Sequence, residues 1–392
     1  MKYNFDKVID RSGTSAEKVE GLKHIWGRTD LIPLWVADMD FATAPFVTDA
    51  IRKRCENEVL GYTGKPDSYY NAIINWVKQR YDLIVTKEVI NFVPGIVPGI
   101  GMAMNCFTQK GDKVMIQPPV YHPFAWVTTR NERTLVTNPL KWENGMYRMD
   151  LDTFREQIKG CKLFILCNPH NPGGVVWTEA ELRAIADICY DEKVLVFSDE
   201  IHADLTLPPH THRPFATVSE KARMNSVTFM SPSKAFNMPG LSASHALIFN
   251  EDLRKRFRIY MDAGELDMGH VFAFLSVEAA YSHGTEWLDQ CLAYIQGNID
   301  FVDDFLKNHT PKIKAIRPEA SYLVWLDCRE LELSQKDLNE FFVDKAHLAL
   351  NDGEMFGKEG IGFMRLNVAS PRCIIEKAMK QLADAYQLIY IK

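Results

Sequence analysis

Between about residues 90 and 250, short runs of consecutive apolar residues alternate with stretches whose apolar positions recur every three to four residues. Apolar runs bounded by turn formers mark strands buried on both faces, and the longer period marks helices packed against them. The strands predicted in this way are 89–93, 113–117, 162–167, 194–198, 226–230 and 243–249. One helix is announced by its cap. Thr178 and Glu181 have the spacing of a capping box, ahead of an apolar face of Leu182, Ile185 and Cys189. The alternation predicts an α/β fold in which a mainly parallel sheet is covered by helices. Upstream, helical periodicity begins near Pro45 (Phe46, Ala50, Ile51, Cys55, Val59) and returns after Asp67 (Ile73, Ile74, Val77, Tyr81). Residues 1–42 read as irregular, with one apolar segment, Leu34 to Phe41, that carries Asp38 and Asp40.

After Glu286 the pattern changes. A long amphipathic stretch (Trp287, Leu288, Cys291, Ile295, Ile299, Val302, Phe305) leads to predicted strands near 312–316, 321–327 and 363–368 and helices near 334–346 and 373–387. This reads as a smaller α+β domain. The expected organisation is an N-terminal segment, 1–45, joining a small domain, 289–392, with a large domain over 46–288 between them. A length of 392 residues suits two or three such units.

Composition narrows the function classes. Apolar residues at 46% and charged residues at 24% are ordinary for a soluble globular protein. A net charge of −6 without a Lys/Arg run leaves no electrostatic footprint for nucleic acid, so no such partner is expected. The longest uncharged stretch, Ile90 to Gln109, is broken by Pro94, Gly95, Pro98, Gly99 and Gly101, so no membrane span is expected. The N-terminus lacks an apolar signal core and the eight cysteines are scattered without a C-x-x-C pair, which together predict a reduced, cytoplasmic protein.

In an open α/β sheet, ligands sit beyond the carboxyl ends of the strands. Five predicted strands end in residues that would suit one ligand. The strand at 89–93 runs into Pro94-Gly95-Ile96-Val97-Pro98-Gly99 and a helix, so the Ile96 and Val97 amides could hold an anion. The next ends in Pro118-Pro119-Val120-Tyr121, an aromatic plate, and the third in Asn168-Pro169-His170-Asn171-Pro172-Gly173-Gly174, an amide donor. The last two supply Asp199 and, in Ser231-Pro232-Ser233-Lys234, a lysine. A lysine amine that can condense with an aldehyde, and a carboxylate that keeps a pyridine nitrogen protonated, are what pyridoxal 5′-phosphate chemistry needs. Taken singly, each feature has a plainer explanation: turn chemistry for the Gly- and Pro-rich stretches, a packed loop aromatic for Tyr121, a helix N-cap for Asp199, a surface lysine for Lys234. The case is their recurrence at consecutive strand ends. Competing chemistries fit less well. Ser231-x-x-Lys234 matches a serine acylase signature, but no S-D-N, K-T-G or G-x-S-x-G accompanies it. His202, His210 and His212 near Asp199 and Glu200 match no metal-ligand spacing.

With these residues in place the chain resembles the fold-type I pyridoxal-phosphate enzymes of the aspartate aminotransferase superfamily, over nearly its whole length. Within them it is most similar to the MalY/PatB branch of cysteine-sulfur β-lyases, also called cystathionine β-lyases. The segments that carry the likeness are Pro33 to Phe41, Asn168 to Gly174, Ser198-Asp199-Glu200-Ile201-His202 and Arg365-Leu366-Asn367. The resemblance implies an aspartate aminotransferase-like fold and a reaction in which a sulfur amino acid loses its Cα proton and then its Cβ thiolate, giving pyruvate and ammonia. It implies that Lys234 carries the cofactor and moves the Cα proton, that Asp199 pairs with the ring nitrogen and Asn171 with the ring hydroxyl, and that Tyr121 stacks on the ring. Ser231, Ser233 and the Ile96–Val97 amides would hold the phosphate, and Arg365 would clamp the substrate carboxylate near Ala37 and Asn171. Tyr62 would reach the phosphate of a neighbouring subunit, making the working unit a homodimer with shared sites. Two departures from the aminotransferase pattern stand out: Ser242 where many aminotransferases place an arginine, and His202 where they place a tyrosine. Aminotransferase is the alternative activity, and a regulatory protein partner is a further role that the branch implies.

Overall fold

The computed structural model describes residues 2–390. Seven strands form one sheet in the order Ile90–Val93, Ser244–Leu247, Ser226–Met230, Leu195–Asp199, Cys161–Cys167, Lys113–Ile116 and Thr134–Thr137. Six run in one direction, and Ser244–Leu247 runs against both of its neighbours. Every residue of Ile90–Val93, Ser226–Met230 and Ser244–Leu247 is buried, the polar Asn91, Ser226, Thr228, Ser244 and His245 included, as expected of strands covered on both faces. The helix Glu179–Asp191 starts at the expected capping box. The Thr178 hydroxyl accepts from the Glu181 amide at 3.2 Å, and the Glu181 carboxylate accepts from the Thr178 amide at 2.8 Å. A cap of this kind is worth about 1 kcal/mol.

A second, antiparallel sheet follows the 25-residue helix Thr285–His309, in the order Lys314–Ile316, Leu323–Asp327, Phe363–Asn367, Asn351–Asp352. The two sheets share their packing. One apolar cluster runs from Phe5 through Trp76 and Trp287 to Tyr386, and another joins Trp325 and Phe363 to Phe164 and Trp177. The junction is tight at Gly174, whose φ is +69° and where an added Cβ would stand 2.5 Å from Pro318, so a side chain there would push the sheets apart. Five of the eight cysteines are buried, where they pack as small apolar groups. Among the described residues no helix is long and apolar enough to cross a membrane.

The structure corrects the sequence reading in several places. Residues 1–42 are not wholly irregular: Glu17–Trp26 is a helix, closed by Gly27 at φ +67°, and Ile32–Pro33 pairs with Leu348–Ala349. That helix buries Leu22, Gly21 and Lys18, so it has no apolar stripe to read. The helix from Pro45 stops at Cys55, and Val59, expected on its apolar face, is 72% exposed. The predicted helix 334–346 is an α-helix over Gln335–Glu340 that widens to a π turn over Phe341–Lys345. The hairpin Lys141–Glu143 with Met146–Arg148 was not predicted, its strands being three residues each.

Candidate active site

The strands ending at Val93, Ile116, Cys167, Asp199 and Met230 open on one edge of the large sheet. Because Ser244–Leu247 is antiparallel, its beginning lies at that same edge, with Ser244 opposite Val93. A cavity of about 200 Å³ is found there, lined by residues from all of these ends.

Lys234 and Asp199 both line this cavity. Lys234 Nζ donates to the Ala37 carbonyl at 2.6 Å, and the same oxygen accepts from the Tyr322 hydroxyl at 2.9 Å. Burial lowers the Lys234 pKa to about 8; Asp38 and Asp199 oppose that shift, and Arg365 adds to it. Asp199 is buried, and burial raises its pKa to about 7, with Glu200 adding and a 3.1 Å bond from the Ile201 amide opposing. A carboxylate raised in this way gains most from a cation placed against it. His202 lines the same wall as a neutral imidazole, held near pKa 3 by burial, with Nδ1 unpartnered.

One end of the cavity suits an anion. Gly95 takes φ +130°, a conformation that favours glycine, and turns the chain into the helix Ile96–Phe107. The first-turn amides of Ile96 and Val97 have no partner within the helix and line the cavity, while Pro98 brings no N–H. Ser233, Ser242 and Ser244 complete this end. Ser231 stands behind the wall: its hydroxyl donates to the Ala243 carbonyl at 2.8 Å and accepts from the Ser233 amide at 3.1 Å. In this arrangement Ser231 orients Ser233 and does not itself face the cavity. Ser242 and Ser244 were not among the expected site residues. The adjacent hydroxyls of Ser242-Ala243-Ser244 were the available signal, but the strand direction that brings them here was not.

Tyr121 and Asn171 also line the cavity, tied together by the Tyr121 amide donating to the Asn171 carbonyl at 3.0 Å. Burial raises the Tyr121 phenol's pKa. Asn171 Oδ1 accepts from Arg365 Nη1 at 3.1 Å, which leaves the Asn171 amide nitrogen for a ligand. Arg365 is buried and its hydrogen bonds go to neutral acceptors: Asn171, the Trp35 carbonyl at 3.2 Å and Asn351 Oδ1 at 2.5 Å. Its Nε has no partner, and burial lowers its pKa to about 10. A buried guanidinium with a free donor is a place for a carboxylate. Asn351, which sits opposite Arg365 across the small sheet, is a partner that the sequence reading missed.

The other candidates part ways. His212 pairs with Glu200 at 2.8 Å and His210 lies 3.7 Å from Glu319, whereas His202 lines the cavity, so the three histidines share no partner. Tyr62 is 97% exposed, beside Leu60, Met268 and His270 and outside this chain's cavity.

The donor set fits pyridoxal 5′-phosphate. Amides and hydroxyls can hold its phosphate, Asp199 its ring nitrogen, Asn171 its hydroxyl and Tyr121 its ring face, while Lys234 can reach its aldehyde. Comparison with known proteins agrees. Over 384 residues the chain is 38% identical to the cystathionine β-lyase PatB of Bacillus subtilis, covering 97% of this chain and 99% of that one. Its structure superposes on cystalysin of Treponema denticola, which contains pyridoxal 5′-phosphate, with a TM-score of 0.96 and 34% identity over the whole of both chains. It also superposes on the pyridoxal-phosphate-bound C–S lyase of Staphylococcus hominis, with a TM-score of 0.90 and 35% identity over 98% of each chain. Residues 29–382 match the family model for aminotransferases of class I and II, and the chain belongs to that family.

Proposed function

We propose that the protein is a pyridoxal-phosphate-dependent carbon–sulfur β-lyase that cleaves cystathionine or related cysteine S-conjugates to a thiol, pyruvate and ammonia. The observation that carries this reading is a buried amine lowered to about pKa 8, sharing a cavity with Asp199 and standing near the guanidinium of Arg365, whose Nε is free. When bound, the cofactor supplies an electron-poor ring that stabilises negative charge at the substrate Cα. Arg365 binds the substrate carboxylate and fixes the Cα–H bond relative to Lys234. The Lys234 amine, near neutrality because it is buried, takes that proton. Asp199 would keep the ring nitrogen protonated, and Tyr121 would cover the ring face. The electron pair left at Cα would then form the Cα–Cβ double bond as the Cβ–S bond breaks and sulfur leaves as a thiolate, a better leaving group than an alkoxide. The released aminoacrylate takes up one water to give pyruvate and ammonia.

Two further assignments belong to this reading. Lys234 and Asp199 lie in the part we assign to the cofactor, 46–288, whereas Arg365 lies in 289–392, which closes the site together with 1–45. The exposed ridge of Val59, Leu60 and Tyr62 supports a homodimer in which Tyr62 reaches the neighbouring site.

The test is turnover with cystathionine alone. The lyase releases pyruvate, ammonia and homocysteine continuously without a keto-acid acceptor. Strict dependence on 2-oxoglutarate or a similar acceptor would make the protein an aminotransferase instead.

A further inference from the structure

The segment Trp35–Phe41 touches both cations of the site. Its Trp35 carbonyl accepts from Arg365 Nη2 at 3.2 Å, and its Ala37 carbonyl accepts from Lys234 Nζ at 2.6 Å. The segment is neither helix nor strand, so its carbonyls are placed by side chains from elsewhere. Asn367 donates to the Val36 and Asp38 carbonyls, each at 2.7 Å, and Asn237 donates to those of Met39 and Phe41.

The remaining attachment is ionic. Lys18, from the helix Glu17–Trp26, is fully buried with Nζ 2.8 Å from Asp40 Oδ2, 3.7 Å from Asp38 Oδ1 and 3.3 Å from the Asp38 carbonyl. Arg11 closes the other side, 2.7 Å from Asp38 Oδ2 and 3.2 Å from Asp40 Oδ1. The Ser370 hydroxyl also donates to Asp40. A buried ammonium between two carboxylates is a costly way to hold a loop in place, since apolar packing would do it without stripping charges of water. What the cluster adds is direction and charge beside Lys234.

We propose that Arg11 and Lys18 are positioning residues for the reaction: by clamping Asp38 and Asp40 they set where the Ala37 and Trp35 carbonyls hold the Lys234 amine and the Arg365 guanidinium. The inference rests on the roles given above to Lys234 and Arg365. Two cations and two carboxylates make the cluster neutral, so deleting Arg11 leaves one uncompensated negative charge beside the amine. The charged and titratable groups facing that amine are Asp38 from this segment, Asp199 from the large sheet, Arg365 from the small sheet, His202, and Tyr322 on the shared carbonyl. Of these Asp38 most strongly opposes the effect of burial, so freeing it from Arg11 favours the protonated amine.

The experiment compares holoenzyme of the wild type with Arg11→Met, Arg11→Lys and Lys18→Met. The Arg11 side chain is 24% exposed, so its removal opens no core, and the Arg11 pair decides the question if Lys18→Met does not fold. Three quantities are read: kcat and KM for pyruvate release, the melting midpoint, and the pH at which the absorbance of the bound cofactor titrates. Arg11→Met should lose about 10- to 100-fold in kcat/KM, the scale expected of a small misplacement of reacting groups. Its absorbance titration should move to higher pH, and Arg11→Lys should recover both. A lower melting midpoint with unchanged kcat/KM and unchanged titration would make the cluster a structural clip and overturn the proposal. Borohydride trapping in the same preparations separates the two levels of failure. Cofactor fixed on Lys234 with unaltered variants overturns this inference, whereas cofactor fixed on another lysine overturns the site reading beneath it.

Discussion

Arg365→Ala tests the proposal that this guanidinium, brought from the small sheet, receives the substrate carboxylate. Arg365 is 3% exposed, so a carboxylate bound there has given up its water and depends on the guanidinium. Removing one partner of a buried, hydrogen-bonded charge pair costs about 2–5 kcal/mol, which is roughly 30- to several-thousand-fold in kcat/KM. The loss should sit toward the upper part of that range, because Asn171 Oδ1, Asn351 Oδ1 and the Trp35 carbonyl lose a donor at the same time. A second effect has a definite sign. The Arg365 charge helps to hold the Lys234 amine near pKa 8, so without it the amine titrates higher and the pH profile moves to the alkaline side. Cofactor content should be retained, since the anion end of the cavity is formed by other residues. Arg365→Lys should recover only part of the loss, as a point charge cannot reproduce the planar fork.

The assay is coupled pyruvate release, run on an S-alkyl cysteine and, by thiol release, on the matching S-alkyl cysteamine, which lacks the carboxylate. Wild type should prefer the carboxylate by a factor below the mutational loss, because the orphaned acceptors cost the variant with either substrate, and Arg365→Ala should show little preference. The two deletions then remove the same interaction and fail to multiply. Losses that multiply independently, or a variant with near-normal kcat/KM, would refute the pairing.

Borohydride reduction of the yellow holoenzyme followed by peptide mapping should place the cofactor on Lys234, and label on any other lysine would sink that assignment. Mixing inactive Tyr62→Ala with inactive Lys234→Ala subunits should restore part of the activity through one hybrid site; no recovery despite proven subunit exchange would count against a shared site. His245 is fully buried with both ring nitrogens unpartnered, and burial holds its pKa near 3, well below the unfolded value of about 6.5. Its contribution is intact above pH 6.5 and is lost toward pH 3, because the unfolded chain takes up the proton first, at up to about 1.4 kcal/mol per pH unit. His245→Phe should therefore flatten the fall of the urea midpoint between pH 6.5 and pH 4, and an unchanged slope would show that the imidazole is not held neutral.

How much of this was legible in the sequence depended on the kind of interaction. The strand Ser226–Met230 was predicted to the residue, and the strand to Asp199 to within one, because a strand buried on both faces is dominated by apolar residues (Val227, Phe229, Met230; Leu195, Val196, Phe197) and its chemistry stands at or just past its end. The helix Glu17–Trp26 was not legible, since its most deeply buried side chain is a lysine that becomes tolerable only against Asp38 and Asp40. Val59 was misread because a periodic apolar pattern cannot show where a helix gives way to an exposed segment.

The site divides along the same line. By itself the sequence determined which side chains stand at the carboxyl ends of five strands, since chain order and apolar runs place Tyr121, Asn171, Asp199 and Lys234 there. Strand direction and long-range packing decided the rest. Ser244 reaches the cavity because its strand runs against its neighbours, so the start of that strand meets their ends. Ser231, one residue past the end of its strand, is turned away to the Ala243 carbonyl. Arg365 comes from the second sheet and is oriented by Asn351, Asn171 and the Trp35 carbonyl, none of them within ten residues of it in the chain. Lys234 has its amine on a carbonyl almost two hundred positions away. Local pattern specifies what a segment is. Where a charge ends up depends on which distant groups replace its lost water, and only the folded chain brings those groups together.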